Sequence, residues 1–493
     1  MAKRLLRDTL MESYRRGNPL LAWAKRVHLR VYKVLHFHLF WLFQMLADRL
    51  DDHRRRTDRR ALHLERRISL LERAVDLGPD RPAAVEGTLP PADLLRAKET
   101  NAVGARRHRL FRDERVGSLP VTVNLAGSSA CNLRCVMCNR AAPGQNQERI
   151  APLDPALLRD FLDQVLPAAR FLRLNTSGEP LLSPTLDMEL ELARRHAVRI
   201  LLITNGAVDR PGLWGSLIPL CGQIDVSVDS PVPETYEAVR RGAVWARTMG
   251  NLLAIRRASE GMPPTLRPRL HLGMLLMRST LDQMPAMVLL CRRLGFDGVR
   301  TALMIAHHPG MEGEQVDLSD GRVAAALESA AALARGLGVK FESPLPPSGG
   351  APRAALEAVV EREWARQGVH FRAAGLDGGG DPPVLREAVE TLDAWPPPPF
   401  EIDWPVERAE DGEALECPFL WEQAFIDNDA RILPCCEPSH PVVGAFGREP
   451  FAAVWNNDVL AAMRGSFNPR SRHHGIHPVC SPCAARGFLR HNF

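Results

Sequence analysis

Three cysteines within eight residues, in the stretch Cys131-Asn-Leu-Arg-Cys135-Val-Met-Cys138, constrain this chain more than any other feature. Thiolates at that spacing on one loop can hold three corners of a cubane iron–sulfur cluster, leaving its fourth iron without a protein ligand. Three close thiols with one distant ligand also make a zinc site, and the motif alone leaves both readings open. Either way the loop follows an apolar run at 121–125 that reads as a strand.

The other cysteines sharpen the picture. Ten in 493 residues are too few for a disulfide scaffold, and no secretory signal precedes them. Cys417, Cys435, Cys436, Cys480 and Cys483 gather towards the C-terminus, while Cys221 and Cys291 stand alone in apolar, helix-like company and read as buried, inert thiols. Clustered thiols of this kind read as metal ligands in a reducing compartment, so the expected location is cytoplasmic.

Between these two groups the pattern is α/β. Apolar runs of strand length recur at 121–125, 171–174, 198–203, 224–228, 270–277 and 298–304, and helical stretches at 155–165, 185–196, 236–257 and 284–294 alternate with them. Six such alternations predict a parallel sheet with helical crossovers, a partial (β/α)6 barrel of the TIM type with its chemistry on the loops after the strands. The expected organisation is a helical extension over 1–77, a linker over 78–117, the barrel over 118–345, a Pro- and Gly-punctuated insertion or bridge over 346–412, and a small Cys-rich domain over 413–493.

The motifs within this frame resemble those of one family. Cys131, Cys135 and Cys138, spaced Cys-x3-Cys-x2-Cys, resemble the signature of the radical S-adenosylmethionine (AdoMet, or SAM) superfamily. Asn175-Thr-Ser177-Gly178-Glu179-Pro180 is similar to that family's Gly-Gly-Glu-Pro element for the AdoMet amino group, with Ser177 replacing the usual first glycine. Thr204-Asn205-Gly206 is a further family-like turn. Ser227 and Asp229 stand where the family contacts the ribose, and Arg240, beside Arg241, matches a residue for the AdoMet carboxylate. Met137 occupies a place that is often aromatic in the family; a thioether can still stack against an adenine.

The C-terminal order resembles the SPASM extension, or its shorter twitch form, found on many such enzymes: Cys417-Pro-Phe-Leu-Trp421, Asp427 leading to Cys435-Cys436, Gly444, Trp455-Asn456, Arg464, and Cys480-Ser-Pro-Cys483. Five cysteines are too few for two auxiliary clusters, so the resemblance implies one, ligated by Cys417, Cys435, Cys480 and Cys483, with Cys436 as the alternative to Cys435. A zinc ribbon uses similar pairs.

Taken together the resemblance implies two 4Fe–4S clusters, AdoMet, and a reducing partner such as flavodoxin or ferredoxin. It implies reductive AdoMet cleavage and a 5′-deoxyadenosyl radical that abstracts hydrogen from a substrate carbon. A fully ligated second cluster would conduct electrons, which points to a net oxidation or crosslink. The expected substrate is a peptide, a saccharide or a lipid-linked saccharide. A non-catalytic iron–sulfur or zinc protein, for electron transfer or nucleic-acid binding, is the competing reading; Gly178-Glu179-Pro180 argues against it, and no nucleic-acid partner is expected.

Charge is segregated. Residues 1–75 carry 18 Lys and Arg against 8 Asp and Glu, so the remainder of a chain with net charge +5 is acidic. Residues 34–47 have no formal charge and are shorter than the roughly 20 residues of a membrane-spanning helix. Ala61, Leu64, Ile68, Leu71 and Val75 repeat at steps of three and four. That spacing predicts a short coiled-coil seam, packed on the body or on a twin subunit in a homodimer, and the basic, aromatic run allows peripheral contact with an anionic membrane.

Overall fold

The computed structural model describes residues 92–141, 153–174, 178–210, 212–264, 266–344, 351–377, 380–385, 417–435, 441–475 and 477–481. The chain divides into two units, Met1–Leu89 and Pro90–Phe493, and every described residue belongs to the second. The coiled-coil repeat and the uncharged run at 34–47 lie outside the described residues. No described helix is long and apolar enough to cross a membrane.

Helix α1 (Ala92–Phe111) occupies much of what the sequence suggests as linker. Charged residues lie on all its faces, so no apolar stripe of helical period marks it. Tertiary contacts hold it instead. Lys98 is buried and donates to the carbonyls of Leu166 (2.5 Å) and Ala169, and burial lowers its ammonium pKa to about 7. Arg109 pairs with Glu422 at 2.9 Å.

The six expected strands form as β1 (Thr122–Leu125), β2 (Phe171–Leu174), β3 (Arg199–Thr204), β4 (Cys221–Ser227), β5 (Arg269–Leu276) and β6 (Gly298–Leu303). They lie side by side in sequence order and all pair in parallel, the arrangement of a partial (β/α)6 barrel. A seventh strand, β7 (Lys340–Glu342), adds in parallel to β6. At the other edge the C-terminal region joins the same sheet. Strand β8 (Gln423–Ile426) pairs in parallel with β1, with Thr122 opposite Gln423, and β9 (Arg431–Leu433) and β10 (Gly444–Ala445) continue antiparallel. The result is one mixed ten-stranded sheet in the order β10-β9-β8-β1-β2-β3-β4-β5-β6-β7.

The helices follow local rules. Helix α2 (Pro155–Val165) begins with Asp154, whose carboxylate accepts from the amides of Ala156 and Leu157, and with proline in its first turn. Its buried face is Leu158, Phe161, Leu162 and Val165, a helical spacing worth about 1.5–3 kcal/mol for each buried side chain. Phe161 stacks on Phe446 at 4.3 Å and meets Phe451 edge-on, so α2 also anchors the C-terminal region. Helix α3 (Leu186–Arg195) and the short α4 (Leu213–Leu217) flank β3 in the chain.

The expected helix over 236–257 is two. Helix α5 (Pro233–Val239) stops, and α6 (Trp245–Glu260) starts after a turn through Gly242 at φ +93°. A Cβ on Gly242 would lie 3.4 Å from the Asn132 carbonyl oxygen. The break lets the turn press against the cysteine loop. Helix α7 (Met284–Leu294) ends on Gly295 at φ +67°. Helix α8 (Gly321–Leu337) leads into β7, and α9 (Arg353–Ala373) belongs to the bridge segment and packs on α7.

Candidate functional site

The loop after β1 carries Cys131, Cys135 and Cys138, all half-buried. Its backbone is pinned on one side by the α5–α6 turn: Arg134 N donates to Arg241 O at 2.8 Å and Val136 N to Val239 O at 2.9 Å. The side chains of Leu133 and Met137 are buried beneath it. Met137 packs with Val239, Met277, Met304 and Met311 in an apolar cluster against which Cys135 also rests.

The end of β2 grips the loop from the other side. Glu179 N donates to Ala130 O at 2.7 Å. Gly178 has φ +69°, and a Cβ there would lie 2.6 Å from the Ala130 carbonyl oxygen and 2.8 Å from that of Ser128. The glycine thus serves a close approach of backbone to backbone. Ser177 lies outside the described residues.

Glu179 is almost fully buried. Its Oε1 accepts from Thr204 Oγ1 at 2.7 Å and from Leu181 N at 3.3 Å, and its Oε2 accepts from Asn205 N at 2.8 Å. Burial pushes the carboxyl upward, and these donors pull it part of the way back. Asn205 passes the connection on: its Nδ2 donates to Asn132 Oδ1 at 2.8 Å and lies 3.9 Å from Cys131 Sγ.

At the end of β4, Asp229 adopts φ +61°, unusual for a residue with a side chain. Its Oδ1 accepts from Leu275 N at 2.8 Å, and its Oδ2 lies 2.7 Å from Arg240 Nη2 in a buried ion pair. Arg240 Nη1 in turn lies 3.9 Å from Cys135 Sγ. Burial opposes the guanidinium charge, yet Asp229 keeps its pKa raised; the Cys135 thiol is pushed up to about 11 by burial, against the pull of Arg240. Ser227 sits two residues before Asp229, opposite Gly273 in the register of β5, and its described contacts do not reach the cysteine loop.

Gly178, Glu179 and Asn205 after β2 and β3, and Asp229 with Arg240 after β4 and α5, therefore close on the cysteine loop, with direct contacts to Cys131 and Cys135. These residues fit an iron–sulfur cluster and AdoMet on two observations. Two of the thiols have an amide or guanidinium donor within 3.9 Å, which suits thiolates. Arg240 Nε is buried without a hydrogen-bond partner among the described residues, a donor left for an anionic group. Among the described residues no three His, Cys, Asp or Glu side chains close on one point as the ligands of a single ion do.

Beneath this site β4–β7 carry an ion network. Asp225 Oδ1 meets His271 Nδ1 at 3.0 Å, Asp225 Oδ2 accepts from Arg300 at 3.0 Å and Gln223 at 2.8 Å, and Arg300 Nε reaches Glu342 at 2.5 Å. Burial alone would raise the Asp225 pKa, but His271 and Arg300 outweigh it and hold the carboxyl at about 2. The network escapes sequence reading because its members are scattered over four strands; alternation along each strand is the signal that could have shown them facing together. His308, whose Nε2 lies 3.0 Å from Val136 O, was likewise missed; the only hint is its place in a turn just after β6.

The second group is held differently. Cys417 precedes the short helix α10 (Phe419–Glu422), Cys435 follows β9, and the buried Cys480 closes the turn Pro478–Cys480, where His477 accepts from Val479 N. Helices α11 (Phe451–Trp455) and α12 (Asp458–Gly465) lie between them, and buried Arg464 donates to Leu420 O at 2.8 Å and Glu114 O at 3.2 Å. Cys436 and Cys483 lie outside the described residues. Cys221 and Cys291 are fully buried, and burial pushes Cys221 up to about 12, as expected of inert thiols.

Residues 126–291 match the radical SAM superfamily and residues 417–484 an iron–sulfur cluster-binding domain, SPASM. Among curated proteins, a probable GTP 3′,8-cyclase of Methanococcus maripaludis is 24% identical over 186 residues, 37% of this chain and 59% of that protein. An AdoMet-dependent heme synthase of Methanosarcina barkeri is 26% identical over 133 residues, 27% of this chain and 38% of that one. The chain thus spans less than two thirds of the length of these relatives.

Among solved structures, Streptococcus suis SuiB bound to precursor peptide SuiA is 12% identical, with 85% of this chain and 88% of that one covered at a TM-score of 0.46. The structure of anSMEcpe with bound AdoMet is also 12% identical, with 75% and 85% covered at 0.46. Radical SAM domains bind a 4Fe–4S cluster and AdoMet, and SPASM domains bind additional iron–sulfur clusters. The chain therefore carries a radical SAM domain over residues 126–291 and a SPASM-type iron–sulfur cluster-binding domain over residues 417–484.

Proposed function

We propose that Cys131, Cys135 and Cys138 ligate a 4Fe–4S cluster whose open iron takes AdoMet, and that Ser177, Gly178, Glu179, Asn205, Ser227, Asp229 and Arg240 surround that AdoMet. Cys417, Cys435, Cys480 and Cys483 ligate an auxiliary 4Fe–4S cluster. When bound and reduced, the first cluster and AdoMet supply hydrogen abstraction from an unactivated substrate carbon. The observation that carries this reading is the linked set of contacts from Glu179 through Asn205 to Cys131, and from Asp229 through Arg240 to Cys135.

Each residue then has a task its own geometry supports. Glu179 Oε2 accepts one hydrogen bond and keeps acceptor capacity for an ammonium. Arg240 keeps Nε for a carboxylate. The cluster of Met137, Val239, Met277, Met304 and Met311 keeps water from one flank of the site. The substrate we infer is a peptide or a saccharide, free or lipid-linked. The outcome we infer is a net oxidation or crosslink, with the auxiliary cluster conducting electrons and a flavodoxin or ferredoxin as cytoplasmic reductant.

The test is anaerobic incubation of reconstituted protein with AdoMet and reductant. Methionine and 5′-deoxyadenosine are the expected products. Glu179→Ala should weaken AdoMet binding about tenfold, the effect of losing one charge-assisted contact. Wild-type affinity in that variant would remove Glu179 from the AdoMet site.

A further inference from the structure

The loop after β6 adds a contact that the reading above does not use. It runs through His308 into the turn Pro309–Glu314 and returns to the barrel, where Gln315 bridges Met277 and Glu314 O accepts from Arg278 N at 2.9 Å. At its centre His308 Nε2 lies 3.0 Å from the carbonyl oxygen of Val136. A carbonyl only accepts, so Nε2 carries the proton. Gly310 leaves room for the ring: a Cβ there would lie 3.3 Å from His308 Nδ1.

Val136 stands between Cys135 and Cys138 and is gripped at both backbone atoms. Its N–H donates to Val239 at the end of α5, and its carbonyl accepts from His308. The same β6 loop contributes Met304 and Met311 to the apolar cluster that holds Met137. The segment that separates two of the three thiols is therefore held from the β6 side by one polar contact and by a shared apolar cluster.

We propose that His308 is a positioning residue for the first cluster: its Nε2–H holds the Val136 peptide and raises the reduction potential of the cluster ligated by Cys131, Cys135 and Cys138. This rests on the reading of those cysteines as cluster ligands. A donor on a carbonyl beside the thiolates offsets negative charge there, so the more negative, reduced state gains most. Hydrogen bonding around the ligands is one of the levers a protein has on cluster potential.

The experiment uses the full chain, reconstituted anaerobically, as wild type, His308→Ala and His308→Gln. Iron content and an EPR-monitored reductive titration without AdoMet are the readouts. His308→Ala should keep its iron and be harder to reduce; a tenfold smaller reduced-to-oxidised ratio at a fixed poise equals 59 mV for one electron. His308→Gln, whose amide N–H can reach the same carbonyl, should recover much of the shift. Iron lost from the alanine variant but kept by the glutamine variant also supports the clamp. A wild-type potential in His308→Ala, or equal shifts or equal iron loss in both variants, would overturn it. A wild type that binds no cluster would instead defeat the assignment of the cysteines.

Discussion

The two cysteine groups reach their places by opposite routes. Cys131, Cys135 and Cys138 sit on one loop, and neighbours after β2, β3, α5 and β6 close around it through Ala130, Asn132, Cys135 and Val136. Cys417, Cys435 and Cys480 come from three separate stations, before α10, after β9 and within a late turn; β8 pairs on β1, and buried Arg464 holds α10 through Leu420 O. A loop that brings all its ligands at once can afford an open corner, because its geometry is set by the barrel around it. Ligands from distant segments staple those segments together and stabilise a small domain.

The largest expected effect separates the two groups outright. Replacing Cys131, Cys135 and Cys138 by alanine should abolish deoxyadenosine formation and lower iron from about eight to about four per chain. Cys417→Ala should also lower iron but leave deoxyadenosine formation without substrate intact. Product chromatography and an iron assay decide; equal loss of AdoMet cleavage in both variants would erase the distinction.

Next in size is the ion pair beneath the first group. Asp229→Asn leaves the Arg240 guanidinium buried without its counter-charge, which should cost about 3–5 kcal/mol in denaturant unfolding. The exposed pair Arg115–Asp458, which links the segment before β1 to α12, supplies the contrast: Asp458→Asn should cost about 1 kcal/mol or less. Similar losses at both positions would show that burial does not set their difference.

Between these in size is a pH effect at Glu189, whose carboxylate lies just under Gly127 of the cysteine loop: a Cβ on that glycine would meet Oε1 at 2.6 Å. Burial raises its pKa to about 7, with Thr185 and Ser183 opposing. The folded state then holds its proton more tightly than the unfolded chain, so stability should fall as pH rises from about 4.5 to about 7, by about 3 kcal/mol. Glu189→Gln should flatten that slope, and an unchanged slope would assign it to other groups.

Much of this was legible in the sequence. Helices at 155–165 and 284–294 and the strand at 171–174 match to the residue, because apolar periodicity and Asp154 or Gly295 mark them locally. The first cysteine group was legible because its spacing is local too. What escaped depends on partners far away in the chain. The split of α5 from α6 arises from Gly242 pressing on Asn132, and β8 is a strand because β1 has an open edge. The Asp225–His271–Arg300 network requires the register of three strands. His308 is visible only once the β6 loop is seen to fold back on Val136.

The central claim is that the first cysteine group alone leaves an iron open to AdoMet. EPR spectra of the reduced protein, recorded with and without AdoMet, test it most directly in wild type and in the variant lacking Cys131, Cys135 and Cys138. The account predicts an AdoMet-dependent change of the wild-type signal that vanishes in the variant, whose remaining cluster signal ignores AdoMet. A wild-type signal indifferent to AdoMet, or an AdoMet response that survives loss of these three cysteines, would contradict it.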